Sequence, residues 1–226
     1  MAGGQPVGAG HYAGGVNESD RVGARGLFVA FEGGDGAGKS TQAGLLAERL
    51  RAAGREVVVT REPGDSRIGP QVRAIVLDGG ELDARAEALL FAADRADHVA
   101  AVIQPALARG AVVLVDRYID SSIAYQGAGR GLGVDRVASI SEFATGGLVP
   151  HLTVLLDVDA AVGRGRVERL GYVDRIERES DDLHTRVRQA FLDLAAADPQ
   201  RYVVVDADRP AHELAAEISA AVEAIA

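Results

Sequence analysis

Phe31 to Ser40 reads FEGGDGAGKS and contains Lys39, the chain's only lysine; the rest of its 24 basic residues are arginine. Gly33-Gly34-Asp35-Gly36-Ala37-Gly38-Lys39-Ser40, followed by Thr41, fits the pattern G-x-x-x-x-G-K-[ST]. Each residue type has a physical use. Glycine at 33, 36 and 38 lets backbone wrap closely round phosphate oxygens, where a Cβ would intrude. The loop N–H groups then form an anion nest, reinforced by the positive end of a following helix. Lysine is a compact charge on a slim stem, whereas arginine is a wide planar fork. The gap between β- and γ-phosphates suits the former, which explains a lone lysine among arginines. Ser40 supplies a hydroxyl for Mg²⁺. The stretch therefore predicts a phosphate-binding loop for a nucleoside triphosphate, with ATP contacts from Gly33 through Thr41. It leaves open whether the phosphoryl acceptor is water or a second substrate.

Further cations lie where a second anion would be met. Arg61 follows an apolar run in TREPG, and Asp116-Arg117-Tyr118 follows another. Arg95 stands four residues after Phe91, so the two share a helix face. Ser121 to Gly127, SSIAYQG, adds hydroxyl and amide groups. Arg61 and Arg117 are read either as a bidentate phosphate grip or as partners of structural acids. The segment RGRVERLGYVDRIERES, 164–180, is either a solvated helix face or a flap over a ligand. The five histidines show no metal-ligand spacing, and His98 and His184 read as helix-surface or packing residues.

The elements that must position these groups are visible as alternation. LFVAFE (27–32), EVVVT (56–60), AVVLVD (111–116), LTVLLDV (152–158) and YVVVDA (202–207) are short, β-branched apolar runs, as expected of strands buried on both faces of a parallel sheet. Segments with helical spacing lie between them: 41–53, 84–109, 134–144, 184–197 and 211–225. The pattern predicts an α/β doubly wound parallel sheet of five strands with right-handed crossovers. It also predicts one domain over 26–226 after a disordered tail, 1–25, too rich in glycine and polar residues to bury much. A net charge of −9 without a basic run excludes a general nucleic-acid or membrane-surface binder. No apolar run reaches the ~20 residues of a membrane span. The absence of cysteine fits a reducing compartment such as the cytoplasm.

Taken together in order, FEGGDGAGKST, TREPG, LLFAADRADHV, DRY-x-x-SSIAYQGAGRGL, VDRIERES and VVVDADRP resemble the thymidylate kinases, P-loop nucleoside monophosphate kinases of bacterial type. The resemblance runs from about Leu27 to the end. It implies ATP- and Mg²⁺-dependent in-line phosphorylation of dTMP to dTDP, supplying dTTP synthesis, beneath a short lid at about 163–175. It implies that Asp35 holds the sugar 3′-hydroxyl and Phe91 stacks on the base. Arg95 would hydrogen-bond the base, while Arg61 and Arg117 grip the monophosphate. Ser122, Tyr125 and Gln126 would line the nucleoside pocket, with Tyr125 disfavouring ribose. Ser40 and Asp116 would hold Mg²⁺. Catalytic charge would come from Lys39, Arg117 and the lid arginines Arg166 and Arg169, with Arg164 a further candidate. Leu170 stands where relatives often carry arginine, and Asp65-Ser66-Arg67 where Gly-Thr-Pro is common. A homodimer is implied, with the helix over 84–109 in its interface. Two rivals follow from the residues: a kinase for another deoxynucleotide or nucleoside, and a nucleotide sensor without transfer.

Overall fold

Alternate residues of the central strand point into opposite hydrophobic layers. In the computed structural model, which describes residues 26–171 and 174–226 (backbone alone at Leu170), β1 spans Leu27–Glu32 and is buried at every position. Leu27, Val29 and Phe31 pack with Leu46 and Leu50 of α1 (Lys39–Ala52) and Leu214 and Ile218 of α9 (Ala211–Glu223). Phe28 and Ala30 face the other way, onto Val99, Ile103 and Ala106. A strand so enclosed has no polar face to show, which is why its sequence is a continuous apolar run.

The remaining strands are β2 (Val57–Arg61), β3 (Val112–Asp116), β4 (Leu152–Asp157) and β5 (Tyr202–Asp206). All pairings are parallel, in the order β2-β3-β1-β4-β5. The α/β fold with a five-stranded parallel sheet is thus the one expected. The order reverses beside β1, where the carboxyl ends of β1, β3 and β4 open the crevice that binds ligands in such sheets. The expected disordered tail lies outside the described residues.

The helix expected over 84–109 is interrupted. α3 (Ala84–His98) passes into a π-helical turn, Val99–Ile103, before α4 (Gln104–Ala108). Pro105 has no N–H for the carbonyl four residues back, so the ladder changes register and Gln104 N donates to Val99 O. A second π turn, Ile123–Gly129, extends α5 (Ile119–Ser122) and carries Tyr125 and Gln126. α2 (Gly69–Arg73), continuing as a π turn over Ala74–Asp78, was not foreseen, because Gly69-Pro70 reads as a loop. Pro70 in fact occupies the first turn, where its missing N–H costs nothing. α6 (Val134–Thr145), α7 (Ala160–Leu170) and α8 (Asp181–Ala197) complete the fold. Gly171 ends α7 in the left-handed conformation, and residues 172 and 173 of the expected lid lie outside the described part.

Candidate active site

The loop between β1 and α1 takes its shape from glycine, partly for a reason other than phosphate approach. A Cβ on Gly33 would lie 2.3 Å from Leu156 O, and one on Gly36 2.2 Å from Gly163 O. Both also have positive φ, as does Gly38 at 95°. The protein's own carbonyls thus enforce the first two glycines. The loop ends on the N-terminus of α1, where Lys39 is buried and its Nζ donates to Gly33 O (3.1 Å) and Gly34 O (2.8 Å). Burial and the neighbouring Arg117 lower its pKa. Ser40 Oγ donates to Asp116 Oδ2 at 2.5 Å, joining the loop to the end of β3. Two oxygen donors are a set that suits Mg²⁺, which usually takes one or two protein ligands and completes its shell with water and phosphate.

Arg117 is the one described non-glycine residue with positive φ, at 68°. Such a conformation costs an arginine about 1–2 kcal/mol and persists only where the surroundings impose it. Here Arg117 N donates to Phe31 O (2.9 Å). The wholly buried Glu32 accepts from Tyr118 N (2.8 Å), Ser121 N (3.2 Å) and Ser121 Oγ (2.5 Å), clamping the loop from below. Burial, then the nearby Asp120 carboxylate, pushes the Glu32 pKa up to about 7. The strained backbone turns the Arg117 guanidinium back onto the phosphate loop. It donates to Gly33 O and Ser121 Oγ, both at 3.1 Å, and pairs with Asp35. Its carbon lies 5.1 Å from the centre of the Tyr125 ring, whose hydroxyl donates to Asp35 Oδ2 at 2.9 Å. Burial would raise the Asp35 pKa, but Arg117, Lys39 and the Tyr125 hydroxyl outweigh it and hold it at about 2.

A cavity of about 140 Å³ runs from this cluster toward α3, with Phe91, Arg95, Ser122 and Gln126 along its wall. Phe91 belongs to the apolar layer that includes Tyr125 and Ile176. Arg95 is 1% exposed. Gln126 Nε2 donates to Glu87 Oε1 (2.9 Å), and Glu87 also pairs with Arg130 and Arg175. Asp174 and Glu177 also reach this cavity, and burial raises both pKa values.

The other expected residues lie outside that cavity wall. The Arg61 side chain is 59% exposed and 3.5 Å from Asp65, outside the cavity wall, whereas Arg73 of α2 is in that wall and donates to Pro63 O (3.0 Å). Arg166 reaches the phosphate loop, donating from Nη1 to Gly36 O (3.4 Å) and to Ala207 O (2.9 Å), and pairs with Asp208 (3.0 Å). Arg164 pairs with Asp181, and Arg169 is exposed on α7. Thr41 is exposed on the first turn of α1. His98 is neither on the surface nor a mere packing residue: it is fully buried and hydrogen-bonded to Glu62 and Thr60. His184 is half-buried beside a second cavity behind Asp35. Sequence reasoning missed Glu32, Glu62, Arg73 and Glu87. The available signal was a charged residue ending or interrupting an apolar run, as Glu32 does after LFVAF.

This arrangement has a match among known proteins. Residues 31–218 fit the family described as thymidylate kinase. The chain belongs to the thymidylate kinase family. A thymidylate kinase of Clavibacter sepedonicus is 58% identical over 197 residues, covering 86% of this chain and 93% of that protein. One from Deinococcus radiodurans is 55% identical over 200 residues, covering 88% and 97%. Nearly the whole length of such thymidylate kinases is therefore represented from the phosphate loop to α9. Among the described residues no helix is long and apolar enough to cross a membrane.

Proposed function

We propose that this chain is a cytoplasmic kinase that transfers the γ-phosphoryl group of ATP in line to dTMP, giving dTDP for dTTP synthesis. The observation that carries the reading is the joining of two anion sites by one strained residue. Arg117 touches the phosphate loop through Gly33 O and the cavity that runs toward α3 through Asp35 and Tyr125. A monophosphate lying beside Arg117 would face the γ-phosphate across that guanidinium. In-line transfer needs this alignment and charge neutralisation on both sides of the moving group. The acceptor is already an anion, so no side chain has to remove a proton.

Lys39 leaves its two loop carbonyls for the β- and γ-phosphates, and the nest N–H groups take the rest of that charge. Arg117 shares its donors between Asp35 and the acceptor phosphate. The lid arginines Arg164, Arg166 and Arg169 approach as the lid closes, excluding water. Ser40 and Asp116 would hold Mg²⁺, which would supply further neutralisation of phosphate charge. Asp35, kept ionised by its partners, accepts the 3′-hydroxyl. Tyr125, packed beside it, fills the space a 2′-hydroxyl would need. Phe91 offers a face for the base, and Arg95 and Ser122 its polar edge.

The test is initial-rate turnover with dTMP, dUMP, dCMP and dGMP at fixed ATP. The expected order places dTMP first. Equal turnover of all four would sink the assignment of Phe91 and Arg95 to the base, and absence of ADP release with every acceptor would sink the kinase reading.

A further inference from the structure

His98 has no role in the function proposed above, yet its surroundings are built. It is 0% exposed at the last position of α3, one turn beyond Arg95. Its Nδ1 lies 2.8 Å from Glu62 Oε1 and its Nε2 2.6 Å from Thr60 Oγ1. Glu62 is equally buried, and its other oxygen, Oε2, accepts from Arg95 Nε at 2.7 Å. A carboxylate facing a guanidinium carries no proton, so His98 Nδ1 is the donor to it. Thr60 Oγ1 lies 2.6 Å from Nε2 and donates to Asp65 Oδ2 at 3.4 Å. Both ring nitrogens are thus held.

The consequence falls on Arg95. A carboxylate with two free oxygens takes arginine as a fork, through two parallel N–H bonds. Here His98 on Oε1 fixes how the Glu62 carboxylate is turned, and Glu62 holds Arg95 by Nε alone. The guanidinium ends are thereby released toward the cavity: Nη1 donates to Ser122 Oγ (3.1 Å) and Ser141 Oγ (3.5 Å), Nη2 to Tyr118 O (3.0 Å). With Nε on Glu62, four of the five N–H groups are committed, and one on Nη2 has no partner among the described residues.

We propose that His98 is a positioning residue for nucleobase recognition: by turning the Glu62 carboxylate through Oε1 it keeps Arg95 held by Nε rather than as a fork, and so holds the remaining Nη2 proton and the Ser122 hydroxyl on the base edge. The inference rests on Arg95 being the base reader. It assigns to the β2–α3 contact a part in substrate choice that neither residue has alone.

His98→Phe keeps the ring and removes both bonds; His98→Asn keeps a donor where Nδ1 lies. The expected result is a KM for dTMP about tenfold higher in His98→Phe, the order of effect of an unsatisfied buried acceptor. Its kcat and KM for ATP should change less than about twofold, and His98→Asn should recover the dTMP KM to within about threefold of the unaltered enzyme. In nitrogen-15-labelled arginine spectra, the Arg95 Nε–H resonance should move in His98→Phe and stay in His98→Asn. An unchanged dTMP KM in folded His98→Phe overturns the proposal. So does a parallel loss of ATP affinity, dTMP affinity and melting temperature with no recovery in His98→Asn, which is what plain packing would give. Should His98→Phe fail to fold, His98→Asn decides alone: an Arg95 resonance and dTMP KM near those of the unaltered enzyme support the proposal, and a shift in either overturns it. Arg95→Ala separates the premise, since no effect on dTMP KM there overturns Arg95 as base reader whatever His98 does.

Discussion

Lys39 and Asp35 stand four positions apart in one loop and show how burial and charge set the behaviour of single residues. The lysine ammonium fits between two backbone carbonyls of its own loop. A guanidinium there needs more width and a planar set of acceptors. Lys39→Arg should therefore lower kcat by about 10²-fold or more, the scale of losing one aimed charge stabiliser. Binding of dTMP, measured by calorimetry without ATP, should be unaffected; a weakened dTMP site would mean the loop itself had been distorted. Asp35 makes a prediction about pH. Its folded pKa of about 2 lies below the ordinary 3.8. Between those values the unfolded chain binds more protons, so this contribution to stability is present above pH 3.8 and lost as pH falls toward 2. Asp35→Asn has nothing to titrate. Urea unfolding at a series of acid pH values should show the unaltered protein losing stability faster than Asp35→Asn across that window. Parallel curves would contradict the Arg117 pairing.

At the scale of elements, the glycine loop and the acid beneath it fix how β1, β3 and α7 meet. Gly36→Ala would place a Cβ 2.2 Å from Gly163 O of α7 at a φ of 71°. The left-handed conformation alone costs about 1–2 kcal/mol. The melting temperature should fall by about 2–4 °C for each kcal/mol in a chain of this size, read by calorimetry. Glu32 carries the opposite sign to Asp35. Its raised pKa means that the folded state binds the extra proton between the ordinary 4.5 and about 7. The stability it contributes is full below 4.5 and is lost as pH rises through 7, so Glu32→Gln should gain on the unaltered protein over that interval. The same elements show what could be read beforehand. The five strands and the loop were legible because each is a continuous local pattern of apolar runs or glycines. The break at Val99–Ile103 was not, because a helical apolar stripe continues through it and only Pro105 marks it. Arg73 was hidden in a segment whose Gly-Pro start resembles a loop. Glu62 and His98 lie 36 positions apart, and nothing local to either predicts their contact.

For the whole molecule the unexplained surface is apolar. Phe143 of α6 is 91% exposed and Leu89 of α3 is 58% exposed. The two helices pack against each other. Ile68 and Ile75 are also uncovered, on the segment around α2 that packs on α3. A phenylalanine left in water forgoes about 1.5–3 kcal/mol that burial would return. On a two-fold axis such a loss is doubled, because each copy presents the same patch to the other. We expect the chain to form a homodimer through α3 and α6, with a mass in solution twice that of the chain by light scattering. Phe143→Asp places a charge on the exposed side of α6, where a dimer formed through it would have to desolvate it unpaired. It should shift the protein to monomer at micromolar concentration. The fold should survive, because the side chain makes little of the intramolecular core. Activity then distinguishes two cases. α3 carries Phe91 and Arg95, so if dimerisation steadies this helix the monomer will show a raised dTMP KM with an unchanged ATP KM. A monomeric Phe143→Asp with both constants unchanged would mean that each active site is complete within one chain, and a dimeric one would place the interface elsewhere.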